Sequence, residues 1–90
     1  MKVRKMRLFR IKHGISRHAL GNICGVSPQR ISIIETDVNP VLKHSTKESI
    51  IKAFEEIIEA RNARQNCLRD DFERHRNSLF ESVEENDYEL

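Results

Sequence analysis

Ser27-Pro28-Gln29-Arg30-Ile31-Ser32-Ile33-Ile34-Glu35 announces the start of a helix and then offers it two unlike faces. Ser27 is an N-cap residue, and Pro28 suits the first helical position, where its missing N–H would have no intrahelical partner. Ile31 and Ile34, three apart, point into a core, while Gln29, Arg30, Ser32 and Ile33 fall around the other side. That second face carries groups able to read base edges. Gln pairs with adenine, Arg with guanine or phosphate, Ser with several partners, and Ile can rest on a thymine methyl. Pro28 shapes the entry to this face.

The flanking residues extend the pattern. Gly14-Ile15-Ser16-Arg17-His18-Ala19-Leu20-Gly21, then Cys24-Gly25-Val26-Ser27, then Ile31-Ser32-Ile33-Ile34-Glu35 resembles the Cro/CI-type helix-turn-helix of phage repressors and XRE-like regulators. The resemblance covers roughly residues 6–40, more loosely to Phe54. It implies an all-α, compact lambda-repressor-like domain whose third helix enters the DNA major groove, usually as a homodimer on a two-fold symmetric operator. It also implies a phosphate contact from Arg17, and a partly buried Arg10–Glu35 ion pair tying helix one to helix three. Such a pair matters more for register than for net stability.

Charge is distributed unevenly. The net charge is only +2, yet residues 1–30 carry eight Lys or Arg and no Asp or Glu, whereas residues 45–90 carry seven basic and twelve acidic side chains. A block of positive charge attracts a polyanion and makes its binding salt-dependent. Candidate phosphate contacts are Lys2, Arg4, Lys5 and Arg7 from the first helix, Ser16 and Arg17 at the start of the second, Ser27 at the start of the third, and Thr36, Asn39 and Lys43 from the loop that follows. With no Trp and one Tyr, a stacking platform for single strands is disfavoured, and double-stranded DNA fits better.

The element boundaries follow from caps and spacing. Helix one is expected from Val3 to His13, with Met6 and Phe9 inward, an exposed basic side, and Gly14 at its end; Leu8 and Ile11 fall off the stripe. Helix two is expected from its cap Ser16 to Cys24, with Leu20 and Cys24 inward and Gly25 turning the chain. Gly21 stands where the family usually has Ala, both residues being small enough for a close helix approach. Ser45-Thr46-Lys47-Glu48 reads as a capping box that starts the next helix, whose stripe is Ile50, Ile51, Phe54, Ile57 and Ile58.

Beyond that point the chain departs from the family pattern, because no Gly or Pro occurs from Val41 to Leu90. The expected organisation is a DNA-binding domain over 1–58 and a long helical extension with an acidic tail over 59–90. A single helix from Ser45 to Asn86 would be ~60 Å long; a break within Arg61–Asn66 would give two helices instead. The thin apolar face of Cys67, Leu68, Phe72, Leu79, Phe80 and Val83 needs a cover, either the chain's own domain or, as the favoured expectation, a second copy or another protein partner. Glu81–Leu90 holds five acids and no base. It is expected to be solvated, the competing idea being that it docks on the basic first helix and weakens DNA binding.

No catalytic constellation emerges, and the chain is read as a binding protein, not an enzyme. His13, His18, His44 and His75 stand apart, Cys24 and Cys67 have no metal spacing, and Asp70-Asp71 with Glu73 reads as a solvated helix face. No cofactor or metal is expected. The absence of a long apolar run or signal-like start suggests a cytoplasmic protein with reduced thiols. The leading expectation is a dimeric sequence-specific regulator that occupies an operator and blocks or recruits transcription. An antitoxin or mobile-element accessory protein using its C-terminal helix on a partner, and a protein-interaction module without DNA binding, are the alternatives.

Overall fold

The computed structural model describes residues 2–38, 40–61 and 66–85, the side chains of 66 and 67 lying outside that description. In chain order it contains β1 (Lys2–Arg4), α1 (Lys5–Lys12), α2 (Arg17–Cys24), α3 (Pro28–Thr36), α4 (His44–Arg61), α5 (Asn66–His75), a 3₁₀ turn (Arg76–Ser78) and β2 (Ser82–Glu84). The described residues are thus mainly α-helical, with one small sheet.

Local chemistry accounts for the middle of the chain. Ser16 Oγ accepts from the Ala19 N–H at 3.0 Å and opens α2, and Ser27 Oγ accepts from the Arg30 N–H at 3.2 Å and opens α3. Gly25, with φ of 73°, closes α2 in the left-handed conformation that disfavours side chains. Gly21 is required more strictly than the sequence suggests. A Cβ there would lie 2.3 Å from the Val26 carbonyl oxygen, so Ala does not fit at this helix spacing, contrary to expectation.

Helix one begins later than expected. Lys2–Arg4 forms a strand antiparallel to Ser82–Glu84, with Val3 opposite Val83. Arg4 provides no side-chain cap for α1. Instead the Lys5 and Met6 N–H groups donate to the carbonyls of Glu81 and Leu79 at 2.8 and 2.7 Å, satisfying donors that a helix start leaves open. At its other end, Arg61 donates to the carbonyls of His13 and Gly14. The anticipated capping box of α4 does not form either. The helix starts at His44, which places Ser45 inside it, and Glu48 pairs with His44 Nε2 at 2.9 Å instead of reaching back to the chain.

The largest correction concerns the C-terminal third. A ~60 Å rod does not fit a molecule whose longest dimension is 36 Å. Leu68, Phe72 and Leu79, expected to meet a second chain, are at most 2% exposed and belong to the same core as Met6, Phe9, Leu20, Ile31, Ile50 and Phe54. Phe9, Phe54 and Phe72, from α1, α4 and α5, form an aromatic triangle with centroids 5.4 to 6.2 Å apart. Phe80 packs on the edge of this core and Val83 sits half-buried in β2. Leu68, Phe72 and Leu79 are covered by the chain's own earlier helices, α1 and α4 among them, which offer Phe9 and Phe54 as partners. The Cys67 side chain and residues 86–90 lie outside the described residues.

Candidate nucleic-acid interface

Helix α3 presents two chemically distinct faces. Ile31, Ile34 and Glu35 are buried, while Gln29 and Arg30 are exposed and Ile33 is 51% exposed. Pro28 and Ser32 are half-buried beside them. A polar pair and an exposed isoleucine therefore share the outer surface of one short, well-capped helix. Thr36 adds little, because its Oγ1 donates to the Ser32 carbonyl at 2.8 Å. Ser16 and Ser27 are occupied as caps through the hydrogen bonds already described.

The basic residues divide into two groups. Arg4, read as a phosphate contact, is buried, and its guanidinium donates to the carbonyls of Ile34, Phe80 and Pro40 at 2.9, 2.8 and 2.7 Å. It ties α3 and the following loop to the C-terminal segment. Lys5 is likewise buried, with Nζ 3.0 Å from Ser78 Oγ and 3.9 Å from a Glu81 carboxylate oxygen. Arg7 is engaged by Glu85 at 3.2 Å. Arg4 and Lys5 are corrected from phosphate ligands to structural cations, because the fold brings carbonyls and a carboxylate onto them, whereas Arg7 is held between Glu35 and Glu85. Lys2 and Lys43 are exposed, and Asn39 lies outside the described residues.

Behind α3, Glu35 is fully buried and collects three arginines. Arg10 Nε and Nη2 donate to it at 2.7 and 3.2 Å, Arg10 Nη1 donates to the Ile15 carbonyl at 2.9 Å, and Arg7 and Arg17 approach the same carboxylate oxygen at 3.6 and 3.7 Å. One carboxylate cannot neutralise three guanidinium groups. Glu85 answers Arg7, whereas the Arg17 side chain stays 40% exposed with its Nε lacking a hydrogen-bond partner. The surplus positive charge next to the start of α2 favours an anion on the solvent side.

A second ionic cluster contradicts two expectations. Asp71 is 6% exposed, not on a solvated face, and the histidines are not all isolated: His13 Nε2 lies 2.7 Å and His75 Nε2 3.3 Å from its carboxylate, with Lys12 Nζ at 3.0 Å. Burial pushes the Asp71 carboxyl up, but the His13 and Lys12 hydrogen bonds, with the charges of Lys12 and His75, hold it below its ordinary value. Burial, seconded by Lys5, Arg74 and Lys12, holds the His75 imidazole below its ordinary value against the pull of Asp71. The cluster fastens α5 to the end of α1. Its only sequence signal was the i, i+4 spacing of Asp71 and His75. Cys24 is half-buried, and burial pushes its thiol up, away from the reactive thiolate.

Among the described residues no three His, Cys, Asp or Glu side chains are grouped to hold a metal ion, and no helix is long and apolar enough to cross a membrane. No protein-family model, curated protein or solved structure matches the chain.

Proposed function

We propose that the chain is a sequence-specific double-stranded DNA-binding regulator of transcription, a binding protein and not an enzyme, which acts by occupying an operator. The observation that carries this is the outer face of α3, where Gln29, Arg30 and Ile33 stand exposed on a helix whose opposite face is anchored by Ile31, Ile34 and Glu35. These side chains match the major-groove chemistry of hydrogen bonding to purine edges and apolar contact with a thymine methyl. The Cro/CI-type resemblance of residues 6–40 supports the same docking, with α3 in the groove and α2 crossing the backbone. Arg17, Lys43 and Lys2 hold phosphates, so positioning and specifying contacts are separate. Two copies on a symmetric operator meet through surfaces other than Leu68 and Phe72 of α5, which are internal.

Duplex selection tests the proposal. A random double-stranded library is incubated with the protein at near-physiological salt and the retained molecules are sequenced. An enriched motif is expected, and with Lys2, Arg17, Arg30 and Lys43 as phosphate or base contacts, log K should fall with log salt at a slope of about −3 to −4 for each copy bound. No retention of any duplex at low salt rules the function out.

A further inference from the structure

The acidic C-terminal segment is docked on the most basic part of the chain. Residues 1–10 hold five Lys or Arg, and residues 81–85 hold three Glu. Pairing of β1 with β2 brings Glu81 to 3.9 Å from Lys5 Nζ and Glu85 Oε1 to 3.2 Å from Arg7 Nε. Arg7 links this contact to the candidate interface, because it and Arg17 approach the same Glu35 oxygen within 3.7 Å. Glu85 is therefore joined to the phosphate-binding arginine through Arg7 and Glu35, in one continuous ionic network. Its attachment is also shallow. A three-residue strand in a two-stranded ribbon opens locally at low cost, and α1 keeps its capping carbonyls from Leu79 and Glu81 when Ser82–Glu85 lifts away.

We infer that β2 and Glu85 form an intramolecular competitor for the DNA backbone: docked, Glu85 occupies Arg7 and lowers the positive potential at Arg17; displaced, it releases Arg7 to a phosphate. This regulation rests on the DNA-binding function proposed above. A polyanion and the docked segment exclude one another at Arg7, so anything that lifts β2 raises DNA affinity.

The test uses the full chain on random-sequence duplex across a salt series, with thermal melting to establish that each variant is folded. Glu85→Gln should bind several-fold more tightly than wild type at low salt, with a salt slope steeper by about one unit, as expected for one added phosphate contact. Glu56→Gln, which removes an exposed acid from α4, should give a smaller gain and no change of slope. In an Arg7→Gln background the Glu85→Gln gain should disappear. A gain that equals that of Glu56→Gln, or persists without Arg7, overturns the competition. If Arg7→Gln does not fold, the comparison of slopes for Glu85→Gln and Glu56→Gln decides alone. Wild-type binding with no gain from Glu85→Gln overturns this inference only, whereas no duplex binding by any variant overturns the proposed function and this regulation with it.

Discussion

Gly21 packs so closely under the α2–α3 turn that a methyl group on it would overlap the Val26 carbonyl oxygen, at 2.3 Å. Gly21→Ala should therefore destabilise the fold although Ala gains roughly 1 kcal/mol in helix propensity. Overpacking against backbone costs about 1 to 3 kcal/mol, and a net loss of about 1 to 2 kcal/mol in urea unfolding is expected. An unchanged or raised midpoint would show that α2 and α3 separate freely.

The buried Glu35 cluster sets a second expectation. Glu35→Leu leaves Arg10 buried with Arg7 and Arg17 beside it, and should cost about 3 to 5 kcal/mol. Adding Arg10→Met should recover much of that loss, because the unpaired charge is removed. Chemical denaturation of both variants measures the difference; a double variant as unstable as the single one contradicts the account of the pair.

Phe72 distinguishes a core residue from a seam residue. Phe72→Ala should lower stability by about 3 to 5 kcal/mol, as for any buried aromatic whose cavity cannot collapse fully. The oligomeric state of the folded variant should match that of the wild type. A change from dimer to monomer with little loss of stability would return α5 to an intermolecular role.

Acid should weaken the fold in two stages, each with the same sign. His75 is held below its ordinary value in the folded state, so the unfolded chain binds protons more readily and stability falls as pH drops below about 7. Asp71 is also held below its ordinary value; its contribution is present at neutral pH and is lost as pH falls below about 4. Urea midpoints measured from pH 8 to pH 3 should show both declines, and His75→Gln should reduce the upper one while leaving the lower.

The parts legible in the sequence are those determined within a few residues. Ser16 and Ser27 announce helix starts, Gly25 the turn, and Ile31 with Ile34 the buried side of α3, because caps and helical period are local. The capping box at Ser45 misled because its pattern was present while the helix already starts one residue earlier at His44, with the Lys47 N–H donating to the Lys43 carbonyl. Lys2–Arg4 is too short for a strand period, and its partner lies about eighty residues away. Leu68, Phe72 and Leu79 identify an apolar face but carry no record of what covers it. Burial of Asp71 was equally hidden, since adjacent acids on a helix are usually solvated and only the fold delivers His13 and Lys12 to one of them. The misassignment of Arg4 and Lys5 follows from the same long-range contacts.

The most direct test of the central claim compares Gln29→Ala with Arg17→Ala on the selected duplex and on random duplex at one salt concentration. Gln29→Ala should lose about 1 to 3 kcal/mol on the selected duplex and little on random DNA, while Arg17→Ala should weaken both alike. Equal losses on both duplexes for Gln29→Ala would contradict base reading by the outer face of α3.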